Sequence, residues 1–453
     1  MEPFQYHVFI CDQKKPEGVP ACSARNSGKT IEALRKEIGA RGLMDTVQLT
    51  VCGSLGMCER GPNMVVYPEG VWYSNVTPED VPEIVKSHFQ QGKPVERLTN
   101  KDSSALYSEI RTNRDKMLAA LRAKDASRAL PDDLHATIRG FMESRAILTA
   151  LELDLFTAVG EGATAEEAGR KVGANPRATE KLMNALVALG LLTKQDSVFR
   201  NAAVSARYFT AGSKDNAQPA LMHTVHLWHR WSTLTDCVRA GTSVTYQEMP
   251  QRNEEWTQAF IAAMHRNATE RAPLVVQAVG TESVQRMLDV GGGSGAYSIA
   301  FARASEKLRS ELLDVKTVLP IAQRHIQEAG LANRVQIREG DLRRDNFGNG
   351  FDLVFASAIC HMLSPEENRD FLKRCCQALA SGGRVVIQDF VLENTKTSPR
   401  FAALFALNML VGTRGGSAYS EEEYASWLRE AGLHDVHRVR LPGPTNLMVG
   451  TRK

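Results

Sequence analysis

The strongest chemical signal in this 453-residue chain is Met287-Leu-Asp-Val-Gly-Gly-Gly-Ser-Gly295, an apolar run ending in an acid and a glycine-dense turn. Glycines there take backbone angles closed to residues with side chains and let a ligand lie against the main chain, the way α/β domains cradle nucleoside-bearing cofactors. Gly291, Gly293 and Ala296 also satisfy the G-x-G-x-x-G/A spacing of dinucleotide sites, so the loop alone leaves two cofactor classes open. Asp314 follows Leu312-Leu313 at roughly the distance where either class wants a carboxylate for a ribose hydroxyl pair.

Two further groups of residues could do chemistry. Cys11, Cys22, Cys52 and Cys58 cluster near the start of the chain, whereas Cys237, Cys360, Cys375 and Cys376 are scattered through apolar or helical context. The sequence shows no secretory signal and no long apolar span, which implies a reducing, cytoplasmic setting. In such a setting clustered cysteines point to metal or redox chemistry rather than disulfides. His223, His226 and His229 are spaced three apart, but successive steps of three sweep around a helix and spread the rings over different faces. Metal binding, pocket lining and ordinary helix roles all stay open for them.

These residues need elements to position them. Val335-Gln-Ile-Arg-Glu-Gly-Asp341 reads as a short strand with a polar end, and Phe351-Asp-Leu-Val-Phe-Ala356 as the next. A helix follows, then Ser381-Gly-Gly-Arg-Val-Val-Ile-Gln-Asp389, and two alternating strands close the chain around Pro442-Gly-Pro444. That terminal strand pair argues against a nicotinamide dehydrogenase. Upstream, Thr164-Ala-Glu-Glu167 has the form of a capping box, and Asn175-Pro176 opens a helix that runs to Gly190. With the turn near Lys194-Gln-Asp-Ser197 this makes a winged-helix pattern. Its would-be recognition helix offers only Arg177 and Lys181 as cations, too few for a phosphate-rich partner.

Near the start, Tyr6-His-Val-Phe-Ile-Cys11 and Val47-Gln-Leu-Thr-Val-Cys52 read as strands flanking a helix from Gly28 to Gly42, with a hairpin and a final helix beyond Cys58. Residues 99–130 are charged and rich in helix formers, the pattern of a linker containing an amphipathic helix that docks on a neighbouring domain. A composition of 43% hydrophobic and 24% charged residues supports a core in each of three domains. The net charge of +3 is too small to imply nucleic acid or a membrane surface.

With the motifs in this order, residues 131–453 resemble the class I S-adenosylmethionine-dependent methyltransferases of the small-molecule O-methyltransferase type. The resemblance implies a winged-helix dimerisation domain over residues 131–245 and a Rossmann-like catalytic domain over 246–453, working as a homodimer on a small-molecule acceptor. It implies that Asp289, Gly291, Gly293 and Gly295 hold the methionine part of S-adenosylmethionine. Asp314 would take the ribose, and Asp341 with Leu342 would lie by the adenine. His361, in Ser357-Ala-Ile-Cys-His-Met-Leu-Ser-Pro-Glu366, stands where that family carries its general base, or else a histidine that only packs by the cofactor. Two positions depart from the family pattern. Met362-Leu363 replaces an aromatic neighbour, and Ala418 stands where an acidic partner is expected within Gly415–Ser420, which leaves thiol, amine and carbon acceptors in view beside a hydroxyl. The stretch Phe401–Val411 would line the acceptor pocket, with Asn408 its one polar interruption.

Residues 5–98, with Cys58-Glu-Arg-Gly-Pro62 and Tyr67-Pro-Glu-Gly-Val-Trp-Tyr73, resemble the thioredoxin-like [2Fe-2S] ferredoxins. That resemblance implies a thioredoxin-like α/β domain over residues 1–98 and a [2Fe-2S] cluster on Cys11, Cys22, Cys52 and Cys58. One ligand is irregular: the pattern expects cysteine four positions before Cys58, where this chain has Ser54. Thiolate is the softer ligand, which favours Cys52; a Ser54 ligand, a lost cluster and a zinc site are the alternatives. Such a module implies a redox partner protein or a regulatory role, and a redox carrier with a non-catalytic second half is the competing function. Together the two resemblances predict an α/β multidomain chain: thioredoxin-like, then winged-helix, then Rossmann-like.

Overall fold

The computed structural model describes residues 4–15, 20–126, 130–247 and 254–453. Residues 127–129 of the expected linker and 248–253 near the expected catalytic boundary lie outside these. The chain divides into two compact units, Met1–Gly140 and Phe141–Lys453.

In the first unit, β1 (Tyr6–Cys11) pairs in parallel with β2 (Val47–Cys52) across the crossover helix α1 (Ser27–Ala40). The antiparallel hairpin of β3 (Met64–Tyr67) and β4 (Val71–Tyr73) completes a sheet of order β2-β1-β3-β4. Alternation along β1 puts Tyr6, Val8 and Ile10 into a core with Leu34 and Ile38 of α1. The helix expected in the linker forms as α2 (Ser103–Ala126). It docks on this unit: Leu106 is buried, Glu109 pairs with Arg60, and Asn113 Nδ2 donates to the Gly56 carbonyl over 2.7 Å. Gly56 sits at φ 88°, and a Cβ there would lie 2.9 Å from Ile110 of α2, so the loop before Cys58 meets the helix through bare backbone.

After helices at Phe141–Glu152 and Leu155–Val159, the second unit forms a small three-stranded sheet, β5 (Ala163–Thr164), β6 (Leu192–Gln195) and β7 (Val198–Asn201), in the order β5-β7-β6. Helices α3 (Ala165–Lys171) and α4 (Pro176–Ala188) pack beside it, the first capped by Thr164 and Glu167 in a full capping box, the second by Asn175 with Pro176 in its first turn. This is the expected winged-helix arrangement, with Asp196 at φ 55° turning β6 into β7. Then come α5 (Gln218–Trp231) and the long α6 (Glu254–Val279).

The seven-stranded sheet is built from β8 (Arg286–Val290), β9 (Arg309–Asp314), β10 (Val335–Glu339), β11 (Phe351–Ser357), β12 (Leu379–Asp389), β13 (His434–Val439) and β14 (Asn446–Thr451). Its order is β10-β9-β8-β11-β12-β14-β13, and β14 runs antiparallel to both neighbours. One face packs on α6, α7 (Ala296–Ala304) and α8 (Leu319–Glu328) through Val275, Phe301 and Ile326. The other packs on α9 (Pro365–Ala378) and a helix at Glu421–Glu430 through Phe371, Trp427 and Leu428. Strand order reverses at β8, which opens a crevice at the carboxyl ends of β8 and β11, where open α/β sheets bind ligands.

Candidate functional site

The glycine loop sits in that crevice. Gly291, Gly293 and Gly295 all hold positive φ, 67°, 58° and 80°, so side chains would strain each. Gly291 N–H donates to Leu313 O over 2.8 Å, tying the loop to β9. A Cβ on Gly291 would lie 2.4 Å from Ile359, and one on Gly292 2.6 Å from Leu312, whereas Gly293 faces open space. The loop is therefore closed toward the sheet and open toward a ligand.

The two acids have different places. Asp289 lies buried beneath the loop and accepts from Ser298 Oγ over 2.7 Å, and burial pushes its pKa up to about 6. Asp314, at the end of β9, accepts the Gly293 N–H over 2.8 Å and the Val315 N–H over 2.7 Å. Burial pushes its carboxyl up to about 6 while those donors pull the other way. After β10, Asp341 accepts the Arg343 N–H and an Arg344 guanidinium N–H, both over 2.9 Å. Leu342 lies 3.6 Å from where a Gly291 Cβ would be, so it and Ile359 form an apolar wall beside the loop. Open backbone, an acid at the strand end and an apolar wall are the parts a nucleoside-bearing ligand needs, and these residues fit one.

His361 is set in a single 3₁₀ turn (Cys360–Met362) after β11. The chain enters that turn through Ala358 at φ 59°, a strained angle for a residue with a Cβ. His361 Nδ1 lies 2.7 Å from Asp389 Oδ1, and the backbone N–H of His361 donates to Asp389 Oδ2 over 3.1 Å. Asp389 is 1% exposed, and its Oδ1 also accepts the Phe390 N–H over 2.9 Å. A buried carboxylate facing Nδ1 places the proton there and presents the Nε2 lone pair outward. Such a ring can accept a proton from a bound hydroxyl.

The sequence pattern expects an acidic partner for His361 within Gly415–Ser420. The acid does not come from residues 415–420, where Ala418 is buried against Leu392 and Ala402; it comes from the end of β12. In the sequence Asp389 stands only as the end of a strand. The signal for it was present: a carboxylate closing an apolar central strand of an open α/β sheet points into the ligand crevice.

The wall facing His361 is aromatic. Phe405 of α10 (Arg400–Gly412) meets the imidazole edge-on at 4.9 Å, and Phe390 packs on Phe405 at 4.2 Å. Asn408 finds its partner across the site, accepting from Trp231 Nε1 of α5 over 2.9 Å. The three α5 histidines do not converge: His223 packs edge-on to Phe260, His226 buries its Nε2, and His229 is exposed.

In the first unit, the end of the sheet gathers cysteines. Cys11 and Cys52 are register partners across β1 and β2, and Cys11 and Cys22 are in hydrogen-bond contact. The Cys22 thiol and the backbone N–H groups of Gln13 and Leu55 hold the Cys11 pKa down at about 6. Cys58 lies 3.3 Å from Ser54 Oγ and accepts from Lys15 Nζ over 3.1 Å. As placed, these side chains do not close into a metal centre: among the described residues, no three or more His, Cys, Asp or Glu side chains are arranged to hold a metal ion. Nor is any described helix long and apolar enough to cross a membrane.

Residues 231–434 match the O-methyltransferase domain family, and residues 136–211 match the O-methyltransferase dimerisation domain family. The chain is 34% identical over 324 residues to a 3-hydroxy-5-methyl-1-naphthoate 3-O-methyltransferase of Streptomyces sahachiroi, covering 69% of this chain and 93% of that one. The solved structure of an O-methyltransferase family protein from Burkholderia thailandensis superposes with a TM-score of 0.66 at 26% identity, covering 72% of this chain and 99% of that one. A stretch of 96 residues, 21% of this chain, is 42% identical to a 2Fe-2S ferredoxin of Clostridium pasteurianum and spans 94% of it. From the glycine cradle, the sheet order and these matches, the chain belongs to the S-adenosylmethionine-dependent O-methyltransferase family.

Proposed function

We propose that the second unit transfers the methyl group of S-adenosylmethionine to a hydroxyl on an aromatic small molecule, with His361 as general base. The observation that carries this reading is the His361–Asp389 pair, set against an aromatic wall beside the glycine cradle. Bound S-adenosylmethionine supplies an electrophilic methyl on a sulfonium. The chain then has three tasks. The glycine loop and Asp314 fix the cofactor, Phe390 and Phe405 orient a flat acceptor, and His361 Nε2 takes the hydroxyl proton as the oxygen attacks. Asp389 holds the ring in the tautomer that leaves Nε2 free and stabilises the imidazolium that forms. The dimerisation-domain match at residues 136–211 supports a homodimer. Incubating the purified chain with labelled cofactor and matched phenol, thiol and aniline acceptors tests the reading; methylation of the thiol or aniline in preference to the phenol would overturn it.

The role of Asp314 carries a pH signature. With its pKa near 6, the carboxylate is ionised above that value and neutral below it. One unit below a pKa leaves about a tenth of the group ionised. Cofactor affinity is therefore expected to fall about tenfold from pH 7 to pH 5, measured by calorimetry, and Asp314→Asn should bind weakly with little pH dependence. A flat profile in the parent protein would remove the ionised carboxylate from cofactor binding.

For the first unit we propose a thioredoxin-like ferredoxin domain whose Cys11, Cys22, Cys52 and Cys58 hold a [2Fe-2S] cluster, serving a redox partner or regulating the second unit. The ferredoxin match and the placement of Cys11 against Cys22 and in register with Cys52 support it. The placement of Ser54 beside Cys58 makes Ser54 the competing fourth ligand. Iron and sulfide analysis of anaerobically purified protein should find two of each per chain, lost in Cys52→Ser and kept in Ser54→Ala; the reverse pattern would give the fourth position to Ser54.

A further inference from the structure

One strong charge near the acceptor wall has no assigned use. Arg230, next to Trp231 on α5, is half-buried; burial shifts its pKa downward, and among the described residues no carboxylate pairs with it. Its guanidinium lies over the Trp256 ring, 5.2 Å from the centroid. Its Nη1 comes within 3.4 Å of where a Cβ on Gly412 would be. Around it are polar atoms that also lack partners: His223 Nδ1 and His226 Nε2 are buried without a hydrogen bond. His223 is held neutral, its pKa driven down to about 4 by burial and by the charge of Arg230. Burying a cation without a counter-charge costs free energy, and orphaned buried polar atoms add to that cost. A bound anion would remove both.

The position relative to the reacting centre is set by α10. Phe401, Phe405, Asn408 and Gly412 are spaced four, three and four apart, so they share one face of that helix. Along this face Phe405 meets His361, Asn408 meets Trp231, and Gly412 meets Arg230. Phe405 to Gly412 is seven residues, about 10 Å at helical rise. That separation sets the reach an acceptor needs to span base and cation.

We propose that the acceptor is an aromatic hydroxy acid whose carboxylate pairs with Arg230, with His223 and His226 beside it, while its hydroxyl faces His361 Nε2. This assignment rests on the methyl-transfer reading above and adds the chemical class of the acceptor. Arginine suits the task because its planar guanidinium offers a carboxylate two parallel N–H donors.

The test uses the full chain loaded with S-adenosylmethionine and two probe pairs, 4-hydroxybenzoate and 6-hydroxy-2-naphthoate, each against its methyl ester. Binding is followed by tryptophan fluorescence, since Trp231 and Trp256 adjoin the site, and turnover by label transfer. The wild-type protein should prefer at least one acid over its ester by about tenfold or more. Arg230→Gln should lower kcat/KM for that acid by about 10- to 100-fold and leave the ester within about twofold, with Arg230→Lys restoring part of the loss. No preference for either acid in the wild-type protein, or equal losses for acid and ester in Arg230→Gln, would overturn the proposal. Should Arg230→Gln lose cofactor binding and so its fold, the wild-type comparison of acid with ester still decides. Acid-selective binding without methyl transfer would support the anion site and count against the O-methyl reading instead.

Discussion

Replacing His361 with Ala is expected to lower kcat by about 10²- to 10⁴-fold, the usual contribution of a positioned general base, while S-adenosylmethionine affinity changes little. The separation follows from the geometry. His361 belongs to the turn after β11 and faces Phe405, whereas the cofactor cradle is built from the β8 loop and the end of β9. The measurement is single-turnover methyl transfer beside cofactor calorimetry. An alanine variant with unchanged turnover would reduce His361 to a packing residue, and one that loses cofactor binding would make the histidine structural. Acceptors with a lower hydroxyl pKa should suffer less, because they need less help in losing the proton.

Asp389→Asn should be nearly as damaging, again about 10²- to 10⁴-fold in kcat, without unfolding the protein. The amide is close in shape to the carboxylate, and with its oxygen in the Oδ2 position it still accepts the His361 backbone N–H, giving up only the Phe390 bond. Its NH₂ would then face Nδ1, turning that nitrogen into the acceptor and moving the ring proton to Nε2, where a base must have none. Asp389→Glu keeps the charge but lengthens a side chain that is 1% exposed, so it tests space separately from charge. Near-normal turnover in Asp389→Asn, with His361→Ala inactive, would show that His361 acts without its acid.

Much of this site was legible in order along the chain. The glycines of 291–295 announce a positive-φ turn because few other residues tolerate one, and all three marked glycines hold it. The capping box at Thr164–Glu167, the Asn175-Pro176 helix start and the turn at Asp196 are local signals, written in neighbouring residues, and each forms as expected. Roles that depend on a distant partner were not legible in that way. Asn408 was marked as an amide needing a partner, but Trp231 is 177 residues away and only the packing of α5 on α10 joins them.

The sequence by itself determined the classes of chemistry: a nucleoside cradle, a candidate base, a cluster of thiols, and the alternation of strands and helices that carries them. Those follow from short-range physics, in which backbone angles, caps and side-chain periodicity are fixed by residues a few positions apart. The tertiary structure decided which groups act together. It brought Asp389 to His361 across 28 residues because β11 and β12 are parallel neighbours whose carboxyl ends open on one crevice, whereas the sequence pattern points to residues 415–420. It set Ser54 rather than Cys52 against Cys58, because β2 carries Cys52 into register with Cys11 before the chain turns. It also left Arg230 beside Gly412 of α10 with no carboxylate among the described residues, a fact about what surrounds a side chain and not about its neighbours in sequence.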